Sequence, residues 1–215
     1  NITITNCVLH SRDSALKIGT ETHGTIRNVT LSDCIIDRCS RAVGIWVRDG
    51  GTVEDIHIHN LTGSTLRYAD RYAEPGAPGW WGKGEPIFIS ATPRKNSRTK
   101  TGTIRNVTFD NLSITCESCA FLAGEPESCL RDIRIRDLHM TFKRQGTQPG
   151  GLFDEQPSVR HVYSHAIPAL YARNVKQLTV QDSTVRYADK SEAWASEVTT
   201  LEDCTESAVD LKKIQ

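Results

Sequence analysis

Ile26-Arg27-Asn28-Val29-Thr30-Leu31-Ser32-Asp33-Cys34 decides the fold, because the stretch returns along the chain. It recurs as Val53-Glu54-Asp55-Ile56-His57-Ile58-His59-Asn60-Leu61, as Ile104-Arg105-Asn106-Val107-Thr108-Phe109-Asp110-Asn111-Leu112, and as Leu130-Arg131-Asp132-Ile133-Arg134-Ile135-Arg136-Asp137-Leu138. Its second half opens the chain as Ile2-Thr3-Ile4-Thr5-Asn6-Cys7, and a looser copy runs through Leu178-Thr179-Val180-Gln181-Asp182. Apolar and polar residues alternate inside each copy, the pattern of a strand with one buried face. The closing Asn or Asp falls at 6, 33, 60, 111, 137 and 182, which gives gaps of 27, 27, 51, 26 and 45 residues. A strand that returns at such an interval stacks on its predecessor, and equivalent residues form ladders about 4.8 Å apart. The expected fold is all-β: a right-handed parallel β-helix, a single-stranded solenoid forming one domain over residues 1–215. The 51-residue gap reads as two coils, and the 45-residue gap as one coil with a large loop or two short ones. Asn and Asp suit the turn, since they tolerate left-handed backbone angles and hydrogen-bond locally.

The ladders assign individual residues. Cys7 and Cys34 occupy the slot that holds Leu61, Leu112 and Leu138 in other copies, which places them in the interior. Cys116 and Cys119 have the spacing of a metal pair, with Cys129 and His139 further on; packed thiols or one local bridge fit them better than zinc. No metal or other cofactor is expected. The sequons at Asn1, Asn28, Asn60, Asn106 and Asn111 all fall on the repeat, where a ladder role outweighs glycosylation. Lys plus Arg and Asp plus Glu both number 26, so no net field points to nucleic acid or an anionic membrane. No run approaches the roughly 20 apolar residues of a membrane helix. Asn1 already lies inside a repeat, so the chain reads as the C-terminal part of a longer solenoid.

Three stretches depart from the repeat: 67–85, 93–100 and 143–165. In solenoids such insertions gather on one face and often build its binding wall. The first contains Trp80 and Trp81 beside Lys83 and Glu85. Exposed, these would suit a sugar, whose C–H face packs on aromatics while charged groups hold its polar edge; alternatively the tryptophans fold the loop over the coil. Between the repeats lie Ser14-Ala15-Leu16-Lys17-Ile18-Gly19 and Ala42-Val43-Gly44-Ile45-Trp46-Val47-Arg48-Asp49. With Leu16, Ile18, Ile45 and Val47 inward, Lys17, Trp46 and Arg48 face outward and Lys17 lies level with Gly44. Asp13, Glu21, His23 and Asp49 bound this expected patch.

Asn6-Cys7, Ala15-Leu16-Lys17-Ile18-Gly19-Thr20-Glu21-Thr22, Gly44-Ile45-Trp46-Val47-Arg48-Asp49-Gly50-Gly51, Trp80-Trp81-Gly82-Lys83-Gly84-Glu85-Pro86-Ile87 and Pro149-Gly150-Gly151-Leu152-Phe153-Asp154 together resemble glycoside hydrolase family 28. The likeness is to the bacterial branch of these polygalacturonase-like enzymes with the pectin-lyase-like fold. It implies an inverting glycosidase acting on pectic, uronate-containing polysaccharide outside the cytoplasm, in the periplasm or beyond. Inversion uses one carboxylic acid on the leaving oxygen and a second carboxylate on water. The family's Asn-x-Asp and Asp-Asp motifs have no counterpart here, and by family order the catalytic aspartates precede Asn1. The family's Gly-His-Gly falls on Asp13-Ser14-Ala15 and its Arg-Ile-Lys on Gly44-Ile45-Trp46, so those basic residues are missing. Lys17 and Arg48 stand close by as replacement carboxylate binders. The departures leave room for polygalacturonate, a rhamnogalacturonan or another decorated pectin.

Three other functions compete. A β-helix that binds polysaccharide without cutting it needs only the groove. A calcium-dependent polysaccharide lyase needs an acidic cluster, for which Asp49, Glu54 and Asp55 are the candidates. An adhesin-like solenoid leaves Trp80 and Trp81 unexplained.

Overall fold

A computed structural model describes residues 1–68, 82–93, 100–127, 130–146 and 166–215. They form the strands β1 (Ile2–Thr5), β2 (Val8–Leu9), β3 (Ser14–Ile18), β4 (Thr25–Cys39), β5 (Arg41–Trp46), β6 (Thr52–Thr65), β7 (Glu85–Ala91), β8 (Thr103–Cys116), β9 (Ala120–Gly124), β10 (Leu130–Phe142), β11 (Leu170–Arg173), β12 (Val175–Tyr187), β13 (Thr199–Glu202) and β14 (Ala208–Ile214). There is no helix among the described residues. The strands alternate along the chain between two sheets. One has the order β1-β4-β6-β8-β10-β12-β14, with β2 also on β4; the other is β13-β11-β9-β7-β5-β3. The strand neighbours pair in parallel, each with the equivalent strand of the previous or next coil.

Register turns the repeat into columns. Ile4, Leu31, Ile58, Phe109, Ile135, Val180 and Val209 are successive partners through the first sheet. Ile18, Ile45, Ile89, Leu122, Ala172 and Leu201 are successive partners through the second. These inward columns make the core, and each large aliphatic or aromatic side chain removed from water stabilises it by about 1.5–3 kcal/mol. Cys34 pairs with Leu61, Leu61 with Leu112 and Leu112 with Leu138, so the interior slot expected for the cysteine is the one it fills.

The turn positions behave as the residue types demand. Asn6, Asp33, Asn60, Asn111, Asp137 and Asp182 all have φ between 49° and 56°, the left-handed region that Asn and Asp enter most easily. Their side chains bond from coil to coil: the Asn60 amide donates to Asp33 at 2.9 Å and the Asn111 amide to Asn60 at 3.0 Å. A second column does the same, Asn28 donating to Asn1 at 2.8 Å and Asn106 to Asp55 at 2.6 Å. The sequon asparagines thus serve the ladder.

The coil count needs a correction. β6 pairs directly with β8, Asn60 lying beside Asn111, so the 51-residue gap is one coil lengthened at both of its connections, residues 66–84 and 92–102, and not two coils. β10 likewise pairs directly with β12, which makes the 45-residue gap one coil with a large loop. The two longest insertions enter at the same corner, between a strand of the first sheet and the following strand of the second. At that corner only Ser40 separates β4 from β5, whereas residues 66–84 separate β6 from β7 and 143–169 separate β10 from β11.

Candidate functional site

On the second sheet Leu16 and Ile18 turn inward and Lys17 turns out to solvent. Lys17 lies beside Gly44, Gly44 beside Phe88, Phe88 beside Phe121, and Phe121 beside Tyr171. That side of the sheet therefore carries an aromatic column across consecutive coils, with Phe88, Phe121 and Tyr171 all buried. Trp46 joins it from two residues along: its indole folds back over Gly44, where an added Cβ would meet Cη2 and Cζ3 at 2.3 Å. Ring centroids are 5.2 Å apart for Trp46–Phe88, 4.8 Å for Phe88–Phe121 and 5.4 Å for Phe121–Tyr171. Such contacts contribute about 0.5–1.5 kcal/mol each beyond the area they bury.

Burial corrects the expectation for two members of the patch. Trp46 and Arg48 have the outward parity, yet Trp46 is 1 % exposed and Arg48 0 %. The Arg41 guanidinium stands 5.1 Å from the Trp46 ring centre and 4.6 Å from that of Phe88, and Lys17 Nζ is 5.4 Å from Trp46. Trp46 Nε1 has no hydrogen-bond partner among the described residues. Arg48 Nη1 donates to Ser90 Oγ and the Thr92 carbonyl, each at 2.9 Å, and to Thr92 Oγ1 at 2.5 Å. It fastens the end of one coil to the next, which leaves no solvent-facing head for a uronate.

Arg41, passed over in the sequence, is the centre of the charged group. Its Nη1 is 3.4 Å from Asp13 Oδ1 and its Nε 3.4 Å from Glu85 Oε2. Asp13 Oδ2 also holds Lys17 Nζ at 2.6 Å. Asp13 and Lys17 are thus brought together as expected. Lys83 and Glu85 are not the exposed flanks of a loop: both are buried. Glu85 Oε2 accepts the Lys83 backbone N–H at 2.7 Å, and the Lys83 backbone forms an antiparallel β-bridge with that of Arg67. Trp80 and Trp81 lie outside the described residues. Exposed Glu21 and His23 lie between β3 and β4, and half-buried Asp49 between β5 and β6, beyond the far ends of the strands. There the loops stack, Gly51 N–H donating to the Thr22 carbonyl at 2.8 Å.

A second group unsignalled in the sequence is Glu117, buried in the corner between β8 and β9. Its carboxylate accepts the backbone N–H of Arg67 at 2.5 Å, of Gln145 at 2.8 Å and of Gly146 at 3.2 Å. Arg67 and Gln145 belong to the coils before and after, so one side chain holds the roots of both insertions.

Among the described residues no three His, Cys, Asp or Glu side chains converge as a metal site. Cys116 and Cys119 are core residues, and burial pushes both thiols up. His139 faces out from the first sheet, with Nε2 2.8 Å from Asp137 and Nδ1 2.7 Å from Thr184 Oγ1, so it does not join them; Cys129 lies outside the described residues. Glu54 accepts Arg105 Nε at 2.8 Å and Asp55 accepts Asn106, which commits two of the three proposed lyase carboxylates to the ladder. No model of a known protein family matches the chain, nor does any curated protein or solved structure.

Proposed function

We propose that the chain is a carbohydrate-active, right-handed β-helix of the polygalacturonase-like, pectin-lyase-like kind, holding uronate-containing polysaccharide on the outward face of its second sheet. The right hand follows the near-universal preference of strand–crossover–parallel-strand connections. The observation that carries the reading is exposed Lys17, held by Asp13 beside the Arg41-capped Trp46 ring. An exposed cation suits a sugar ring that offers a carboxylate on one edge, and the buried aromatic column behind it fixes where that cation stands. Such a polymer is met outside the cytoplasm, which makes the periplasm or cell exterior the proposed place of action.

One observation favours binding without cleavage as the second reading. Inverting hydrolysis needs a carboxylic acid and a carboxylate with room for water between them. On this face Glu85 is engaged with Arg41 and a backbone N–H, Glu117 with three backbone N–H groups, and Asp13 with Lys17 and Arg41.

Affinity electrophoresis in gels containing polygalacturonate or rhamnogalacturonan tests the binding, and release of reducing ends from the same polymers tests the cleavage. Retardation that weakens in Lys17→Ala and in high salt supports the reading. Equal mobility with and without polymer overturns it. Retardation without reducing-end release selects the binding-only form.

A further inference from the structure

Cys7 and Cys34 stand opposite each other on adjacent coils. Thr5 pairs with Ser32 on one side of them and Val8 with Ile35 on the other, and the Ile35 N–H donates to the Cys7 carbonyl at 2.9 Å. The residues before them, Asn6 and Asp33, share a φ of 54°, so the two strands turn alike and both thiols leave on the same side. Neighbouring strands lie about 4.8 Å apart, which sets the two Cα atoms within the roughly 4.4–6.8 Å that a disulfide spans. Cys34 Sγ already reaches to 3.4 Å from the Cys7 backbone nitrogen. Otherwise each thiol bonds back to its own strand, Cys7 to the Thr5 carbonyl at 3.2 Å and Cys34 to the Ser32 carbonyl at 3.0 Å. An S–H group is a weak donor, so little holds either sulfur back. Accepting an N–H from the coil before does not by itself call for sulfur, since Leu138 N–H donates to Ser183 Oγ at 3.2 Å in the same slot. What sets the Cys7–Cys34 rung apart is a second sulfur across from the first.

We propose that Cys7 and Cys34 are a disulfide-forming pair, which in an oxidising medium ties two consecutive coils together. Glutathione disulfide is a sufficient oxidant. One protein thiolate attacks it and releases a glutathione thiolate; the other protein thiolate attacks the protein sulfur of the mixed disulfide and releases the second. The two protein thiols thereby give up two protons and two electrons, and the oxidant leaves as two molecules of glutathione. No other described cysteine lies opposite either one. Cys39 is five residues further along β4 and bonds to the Leu9 carbonyl at 3.3 Å, Cys116 and Cys119 are at the corner between β8 and β9, and Cys204 lies between β13 and β14. The bridge closes a loop that contains Asp13 and Lys17, so it restrains the coil presenting the exposed cation. A closed loop also leaves the unfolded chain less freedom, which favours the folded one.

Oxidative refolding tests this. The chain is unfolded, fully reduced, and refolded with or without glutathione disulfide, so that access to buried Cys34 does not limit the reaction. Trypsin places Cys7 in residues 1–12, Cys34 in 28–38 and Cys39 in 39–41. Mass spectrometry without reductant is expected to find peptide 1–12 joined to 28–38 in the oxidised sample, two hydrogens lighter than their sum, and the separate peptides in the reduced one. The urea midpoint is expected to be higher for the oxidised chain, and that gap to vanish in Cys7→Ser. Absence of the joined peptide overturns the proposal, as does linkage of Cys7 or Cys34 to another cysteine. So does a midpoint unmoved by oxidation, or a gap that persists in Cys7→Ser. If refolding fails, the folded, reduced chain is oxidised directly and the same peptides decide. No polysaccharide enters the measurement, so its failure is distinct from failure of the binding reading.

Discussion

The Trp46 indole occupies the side-chain position that Gly44 leaves vacant, with Cη2 and Cζ3 2.3 Å from where a Cβ at residue 44 would stand. Gly44→Ala is therefore expected to push the ring off Phe88 and lower stability by about 1–3 kcal/mol, the usual cost of overpacking. Urea unfolding followed by tryptophan fluorescence measures it; an unchanged midpoint would count against the packing described.

Arg41→Ala removes the cation between Asp13 and Glu85. Because Arg41 and Glu85 are both buried, the loss leaves an uncompensated carboxylate, and the expected destabilisation is about 3–5 kcal/mol. Replacing both residues with apolar ones of similar volume is expected to recover much of it. Thermal unfolding of the single and double variants decides.

Acid is expected to weaken the fold through its ladders. The Asn60 amide holds the Asp33 carboxyl below its ordinary value, and Arg136 does the same for Asp110. A carboxylate whose folded pKa lies below its unfolded value, about 3.9, contributes stability that is fully present above that value and is lost as pH falls through the folded one. The free energy of unfolding should therefore drop as pH falls below about 4. Arg136→Ala should make the drop shallower, and an identical slope in the variant would contradict the assignment.

Thiol labelling should be graded by burial. In the reduced chain, desolvation raises Cys39 to about 11 and pushes Cys116 and Cys119 up as well, while Cys7 is half-exposed. With iodoacetamide at pH 8, peptide mapping is expected to find Cys7 alkylated first among these four and the other three protected until denaturant is added. Early modification of Cys116 or Cys119 would refute their placement in the core.

The strands, their inward faces and the left-handed turns were legible because each is a local property of residue type: alternation fixes the face, and Asn or Asp marks the turn. Lys17 beside Gly44 followed from the 27-residue offset alone. What failed was the spacing across insertions. Reading the 51-residue gap as two coils separated Arg41 from Glu85, whose register offset is 44 residues, and so hid the ion pair. Outward parity also said nothing about cover. Trp46 and Arg48 point as expected, but a stacked guanidinium and the Ser90–Thr92 acceptors take them from solvent, and neither contact has a short-range signature. Glu117 was illegible for the same reason, since its partners lie at positions 67 and 145.

Glu117 separates what is conserved by geometry from what is free to drift. By fastening the chain at Arg67, Gln145 and Gly146, it fixes where each excursion leaves the stack, whatever follows. Closing a longer excursion costs little more than closing a short one, about 0.6 kcal/mol for each doubling of length. Such a chain can therefore lengthen, shorten or exchange these segments while the same rungs go on stacking underneath.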